Sequence, residues 1–491
     1  MSRETPTNTP AGSEGDAATR SVASAVEGAT PTIVVACLAT AMLMLDISVI
    51  NTALSSIAHG LDTGLSGLQW VVDAYTLPLA ATVLTAGAIA DRLGRRKLFL
   101  IGLALFTAMS ALCGAASGIG MLVASRAVQG LGAAVMFATA LALISQVTPT
   151  SQARVRALAA YGIAIGASFA IGPFVGGALT ALFGWRAIFL INVPIGAVVL
   201  WVTYRHVGEG RDPAPRRIDW PGQAMLIAGL FLLVLALLRG NDDGWGSSGI
   251  VGCLIGAAVL LGAFALLQQR SREPMLPLGL FRQRQFAGPQ IAVFSIAASF
   301  FAVFLYTTLY LQTVLGLSAI ETGLVYLPGT SLVFIVSGLT AQFGQKIAAA
   351  KLASVGLALV AAGLALMLVI QDDSSWTAII PGLLVVRVGT GLFNPTGSEL
   401  ALRALPHEQS GLAAGTNDTF RQTGVAVGIA ALGTLVPAGA ALGGDPSSYV
   451  EGLHHALLAA AILAGAGATA TAWLLIPLPE RVAEDVAPQL D

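Results

Sequence analysis

The feature that most constrains this chain is a rhythm of long apolar runs separated by short polar breaks. About 14 such runs follow one another, centred near residues 43, 80, 108, 133, 168, 196, 229, 259, 299, 332, 360, 388, 424 and 465. Crossing the hydrocarbon core of a bilayer takes about 20 apolar residues as an α-helix. Gly and Pro inside several runs fit that reading, because membrane helices tolerate them better than soluble ones do. A soluble fold would have to cover the same runs with polar segments. Only 10% of the residues are charged, against about 25% in a soluble domain. The chain reads as an all-α integral membrane protein with about 14 transmembrane helices.

Charge and cysteine usage close off other classes. The formal net charge is −1, whereas a nucleic-acid partner requires a basic excess. Cys37, Cys113 and Cys253 lie far apart, each in an apolar run, so neither a disulfide framework nor a metal site is expected. There is no zinc-protease, phosphate-loop or nucleophile-elbow pattern. The expectation is a protein that is not an enzyme and needs no cofactor. Residues 1–30 are rich in Thr, Ser, Ala, Gly and acids. They lack the basic start and short apolar core of a secretion signal and read as a disordered tail. Residues 477–491 read as a second tail.

Orientation follows from the basic residues. With the N-terminus in the cytoplasm, 20 of the 25 Lys and Arg fall inside and only Arg186 and Arg239 fall outside. Arg126, Arg387 and Arg421 lie within spans. The opposite orientation breaks the positive-inside rule. An even number of spans returns the C-terminus to the cytoplasm.

Two segments echo each other. RAVQGLGAAVMFATALALISQVTP starts at Arg126 and RVGTGLFNPTGSELALRALP at Arg387, each with Gly-Leu four residues on and a Pro at the exit. A fainter echo pairs GAIADRLGRRK with GLTAQFGQK from Gly338. Transporters are often built from such repeats, with the substrate site between them. The repeat divides the chain into a first half at 31–205, a linker with two inserted spans at 206–285, and a second half at 286–476.

The motifs then become specific. GAIADRLGRRK resembles the loop 2–3 signature of the major facilitator superfamily, RAVQGLGAA at 126–134 its span 4 signature, and GIAIGASFAIGPFVGG at 162–177 its span 5 antiporter signature. LDISVINTAL at 45–54, WVVDAYTL at 70–77, WRAIFLINVPIG at 185–196 and NDTFRQTG at 417–424 are similar to segments of the 14-span drug:proton antiporter branch. The second-half loop motif is nearly erased. The resemblance implies the major facilitator fold, with two six-helix pseudo-symmetric halves plus two inserted helices. It implies an alternating-access exporter driven by the proton gradient.

Candidate residues follow. Asp46, near the middle of span 1, costs about 3 kcal/mol to insert as an ion and is a functional-site hypothesis by default. Asp73 lies nearer the outer end of span 2, where water is expected to reach it. Buried Arg126 needs an acid partner, with Asp46 or Asp73 as the candidates. These three are expected to couple protons to substrate. Asn417, Asp418 and Arg421 form a polar cluster in span 13, where Asp418 and Arg421 are spaced to pair within the helix. Phe294, Phe300, Phe301, Phe304, Tyr306 and Tyr310 in span 9 are candidates for lining a hydrophobic cavity.

Conformational gating is expected from two regions. In the loop after span 2, charge anchors the topology, but anchoring does not explain Gly87, Asp91 and Gly94. The resemblance implies a latch there, built from Asp91 with Arg92, Arg95 and Arg96, in which Asp91 caps or pairs across the halves and the glycines allow close approach. In span 5, Gly166, Gly172, Pro173, Gly176 and Gly177 permit close packing and a bend.

The reading is a proton-driven exporter of amphipathic drugs or antibiotics, its substrate amphipathic or cationic, in the bacterial cytoplasmic membrane. Its partners are the substrate, protons and the lipid bilayer, with no nucleic acid. The alternatives are a dedicated carrier of one metabolite or small ion, and a membrane sensor that does not transport.

Overall fold

The computed structural model describes residues 13–148, 151–211, 218–271, 273–343, 347–405, 410–437, 439–442 and 444–476. Six helices form the first half: α1 (Ser13–Leu61), α2 (Leu65–Leu93), α3 (Arg95–Gly114), α4 (Ile119–Val147), α5 (Ser151–Phe183) and α6 (Ala187–His206). Two more follow, α7 (Trp220–Asp243) and α8 (Ser248–Arg270). The remainder are α9 (Arg284–Val314), α10 (Ala319–Phe343), α11 (Ala349–Val369), α12 (Trp376–Arg403), α13 (Ser410–Gly433) and α14 (Pro446–Leu475). No strand occurs among the described residues.

Thirteen of these helices are apolar and long enough to cross a membrane; α13 is not among them. The reason lies in its middle, where Thr416, Asn417, Asp418, Thr419 and Gln422 are all buried. A helix wrapped by other helices need not be oily all round, so hydropathy understates it. The tail expected over 1–30 is helical from Ser13 onward. Its Ala, Ser and Glu content is compatible with helix, and adding turns to an existing helix avoids the costly nucleation step. Residues 1–12 and the expected tail at 477–491 lie outside the described residues, as do Gln345, Lys346, Pro149 and Pro406 of the repeat.

Packing within the first half is dominated by α2 and α3 on α4 and by α1 on α5; in the second, by α11 on α12 and α14, and by α10 on α12. The halves meet along two seams, α5 with α10 and α2 with α13. The pair α7–α8 packs on itself and lies outside the second seam, touching both α2 and α13. Leu226, Leu230, Val234 and Leu238 of α7 join Leu77 and Ala81 of α2 and Ala426 and Ala430 of α13 in one apolar cluster. Gln223 Nε2 donates to the Ala81 carbonyl at 2.8 Å, and Asn241 Nδ2 donates to the Thr434 carbonyl at 2.7 Å. One end of α7 is thus tied to the first half and the other end to the second.

The two ends of the bundle differ. Call the end bearing the α2–α3 turn near, and the opposite end far. At the far end both halves share one apolar core, in which Val49, Ile57, Leu68 and Trp185 pack with Val303, Tyr310, Val436 and Leu453. The near-end core of the first half, built on Val35, Leu79, Phe99, Leu143 and Val199, contains no second-half residue. The α5–α10 seam shows the same divergence. A Cβ at Gly177 would lie 2.4 Å from the Ala319 carbonyl, and one at Gly323 would lie 2.7 Å from the Pro173 carbonyl. Gly162, Gly166 and Gly338, toward the near end, face open space.

Candidate functional site

At the centre of the first half lies a closed polar network. Gly130 makes it possible: a Cβ there would stand 2.3 Å from the Tyr75 carbonyl, so α4 packs backbone to backbone on α2. That contact lays Arg126 across α2. Its Nη1 donates to Asp46 Oδ2 at 2.5 Å and to Gln129 Oε1 at 2.9 Å, and its Nε donates to the Val71 carbonyl at 3.2 Å. The guanidinium sits 4.1 Å from the Tyr75 ring centroid. Asp46 Oδ1 accepts from Asn192 Nδ2 at 2.9 Å and from Gln129 Nε2 at 3.2 Å. Asn192 Nδ2 also donates to Ser110 Oγ at 3.0 Å, and Ser110 donates to the Phe189 carbonyl at 2.9 Å. Asp46, Ser110, Arg126, Gln129 and Asn192 are all buried, none more than 1% exposed.

Of the two acids open as partners for Arg126, the structure selects Asp46. Asn192 and Ser110 were not anticipated. Their only sequence signal is a polar residue inside an apolar run, and Asn192 stands within WRAIFLINVPIG.

Asp73 is a correction. Its place near the end of span 2 suggested access to water, yet it is completely buried, with neither carboxylate oxygen hydrogen-bonded. The physical reason is the second half, whose α13 covers this face of α2. One turn away, Gln69 Nε2 donates to the Tyr306 hydroxyl at 2.9 Å, and that hydroxyl donates to the Ile429 carbonyl. Asp73 therefore sits at the seam between the halves.

In α13, Asn417 Nδ2 donates to Gln290 Oε1 at 3.3 Å. Asp418 and Arg421 make no ion pair despite their spacing, and Asp418 Oδ2 and Arg421 Nε are buried without partners. Spacing permits such a pair but does not impose it; the rotamers that pack against neighbouring helices decide.

The turn after α2 differs from the expected latch. Asp91 pairs with Arg95, four residues on, at 3.0 Å, and not across the halves. Arg96 Nη2 donates to the Tyr204 carbonyl at 2.5 Å. Glu209 caps α3, accepting from the amides of Arg96 and Lys97 at 3.1 Å each. Gly94 takes a φ of 111° against that carboxyl, so this glycine is required. Gly87 has open space around it, and Arg92 is exposed. The partners of the turn named here lie in the first half and at the start of the linker, none in the second half.

In α5, Gly172 and Gly176 pack on α1, where added Cβ atoms would meet Ser48 and Val49, while Gly177 meets α10. Pro173 lacks an amide and so frees the carbonyl of Phe169, four residues earlier. Ser48 Oγ donates to that carbonyl at 3.1 Å. A Cβ at Gly166 would have nothing within 4 Å. Phe300, Phe304, Tyr306 and Tyr310 are buried. Among the described residues no group of His, Cys, Asp and Glu is placed to hold a metal ion.

Known proteins resemble this chain throughout the bundle. Residues 36–429 match the family model described as the Major Facilitator Superfamily. The Multidrug resistance protein Stp of Mycobacterium tuberculosis is 37% identical over 400 residues, covering 81% of this chain and 74% of that protein. The Methylenomycin A resistance protein of Bacillus subtilis is 32% identical over 405 residues, covering 82% and 87%. Among solved structures, a bacterial homologue of the human drug peptide transporters PepT1 and PepT2 shares the fold at a TM-score of 0.61 with 16% identity, covering 91% of this chain and 98% of that one.

Proposed function

The chain belongs to the major facilitator superfamily, and from that premise we propose that it exports amphipathic drugs or antibiotics across the bacterial cytoplasmic membrane in exchange for protons. Relatives named for multidrug and antibiotic resistance support the export. The proposed topology places both termini and the near end in the cytoplasm, so the structure corresponds to the inward-facing state: far end shut, near end parted. The organisation is 6 + 2 + 6, with halves at 31–205 and 286–476 and the α7–α8 pair inserted between them.

The observation that carries the proton coupling is the bare carboxyl of Asp73. A buried carboxylate with neither donor nor counter-ion is costly, and a proton removes the cost. Among the described residues, no group donates a hydrogen bond to these oxygens. At Asp46, by contrast, three hydrogen bonds from Arg126, Gln129 and Asn192 already hold the two oxygens, so a proton arriving there weakens the charge-assisted bond from Arg126. Asp73 carries the proton in this scheme, and the Asp46–Arg126 pair braces the first half around it. Asn417, Asp418 and Arg421 supply the polar wall across the seam. Gly87, Asp91, Arg92, Gly94, Arg95 and Arg96 re-form the latch when the near end closes, and the α5 glycines set how far it parts.

The test is accumulation of a cationic dye in efflux-deficient bacteria, with and without a protonophore. Wild type should keep accumulation low until the protonophore is added. Asp73→Asn should accumulate dye as the empty strain does, while purified variant still binds the dye. Full protonophore-sensitive export by Asp73→Asn would remove Asp73 from the scheme.

A further inference from the structure

The repeat places Arg387 in the second half where Arg126 stands in the first, each on the fourth helix of its half. Both are buried, 2% and 1% exposed. Their surroundings differ in one respect. Arg126 faces Asp46, supplied by the first helix of its half, and has acceptors for both Nη1 and Nε. The first helix of the second half, α9, supplies Phe300 and Phe304 instead, and the Arg387 guanidinium lies 4.8 and 5.4 Å from their ring centroids. No carboxylate stands within ion-pair distance of Arg387 among the described residues, and its Nε is buried without a partner.

An arginine cannot shed this charge by giving up its proton as a buried lysine can. Two aromatic faces offset part of the desolvation, but they accept no hydrogen bonds in the guanidinium plane. The site is also built to hold the group in place. Gly329 of α10 leaves room for the Arg387 stem, since a Cβ there would lie 2.9 Å from Arg387 Cγ. Tyr326, one ring from Phe304 at 4.5 Å, is fixed by hydrogen bonds with Thr307 and Thr308 at 3.0 and 3.2 Å. A π-helical turn over Ala297–Phe301 interrupts α9 here, a distortion often found at functional sites. Aromatic contacts continue outward, Phe304 to Phe300, Phe300 to Phe301, and Phe301 to Phe169 of α5. Phe301 and Phe169 are half-buried, so the row runs from the seam between the halves to the guanidinium.

We propose that Arg387, with Phe300, Phe304 and Tyr326, is a binding subsite for the anionic group of an aromatic substrate, a carboxylate or phenolate whose ring enters along the Phe169–Phe301 row. The inference rests on the exporter reading and narrows its substrate class. Compounds with an acidic group on an aromatic body would be bound by the second half, in addition to the cations expected from the acidic residues.

The experiment uses the purified full chain in lipid nanodiscs and a matched dye pair, tetramethylrhodamine with its free carboxylate and the same dye as its ethyl ester. Binding is followed by fluorescence anisotropy. Arg387→Gln should weaken the carboxylate dye at least tenfold and leave the ester within twofold, which also shows that the variant is folded. Arg387→Lys, which keeps the charge and loses the planar fork, should fall between. If Arg387→Gln does not fold, the wild type alone decides: benzoate should displace the carboxylate dye and not the ester, and chloride at equal concentration should displace neither. Equal loss of both dyes in a folded Arg387→Gln, displacement by chloride as effective as by benzoate, or no displacement by benzoate overturns the subsite. Protonophore-sensitive export of the ester by wild-type cells tests the exporter reading separately, so the subsite can fail while that reading stands.

Discussion

Asp46 and Asp73 are both buried carboxyls of the first half, and their neighbours give them different work. Asp46 is enclosed by Arg126, Gln129 and Asn192. Removing one member of a buried ion pair leaves an uncompensated charge, at a cost of about 3–5 kcal/mol. Arg126→Gln is therefore expected to lower the unfolding midpoint of detergent-solubilised protein sharply. The double variant Asp46→Asn with Arg126→Gln, which removes both charges together, should recover at least half of the loss. If the double variant is as unstable as the single one, packing of the Arg126 stem and not the ion pair holds this site. Asp73 has no such partners, so Asp73→Asn is expected to leave the midpoint nearly unchanged while abolishing coupling. The contrast separates a brace from a proton carrier.

Among the elements, α5 carries the most consequential asymmetry. Its far end touches α10 backbone to backbone at Gly177, whereas a Cβ at Gly166 would have nothing within 4 Å. Side chains added at these two positions should act oppositely. Gly177→Leu forces the far end apart and is expected to favour the outward-facing state. Gly166→Leu is accommodated as the structure stands but fills the space the near end must close, and is expected to favour the inward-facing state. Maleimide labelling of single cysteines placed at the near end of α10, in a chain freed of Cys37, Cys113 and Cys253, reads the difference. Labelling should fall in Gly177→Leu and rise in Gly166→Leu; the same response in both would argue against α5 as the moving seam. The inserted α7 belongs to this scale as well. Gln223 fastens one end to α2 and Asn241 fastens the other to the segment after α13, so the helix spans the α2–α13 seam that stays closed while the α5–α10 seam parts. Consistent with that, the α2–α13 seam keeps a near-end contact, where a Cβ at Gly415 would lie 2.7 Å from Leu84 Cδ2.

On the scale of the whole molecule, the far end is closed by a shared core and by hydrogen bonds between halves, among them Gln312 Nε2 to the Thr52 carbonyl at 2.8 Å and Gln69 to Tyr306. A cysteine pair, Thr52→Cys with Gln312→Cys in the cysteine-free chain, should cross-link and stop dye export, with activity restored by reductant. Export that continues through the cross-link would mean the far end need not open.

The sequence by itself determined what depends on neighbours along the chain. Spans follow from about 20 apolar residues in succession, and the repeat from Arg126 and Arg387 with their Gly-Leu partners. Family membership was legible because those motifs are local strings. The partners across helices were not. That Arg126 meets Asp46 and not Asp73 depends on how Gly130 seats α4 on α2. That Asp73 is dry depends on α13, more than 300 residues away. Asp91, read as a latch between halves, pairs with Arg95 one turn on, a choice among neighbours that the string itself does not make. Asn192 is a single polar residue in an apolar run and Ser48 one of several polar residues in its own; nothing in their neighbourhoods says that one completes the Asp46 cage and the other covers the carbonyl freed by Pro173. Hydropathy and motif are short-range quantities, whereas a buried charge is satisfied by whatever the tertiary structure brings within 3 Å, and only the packed bundle decides that.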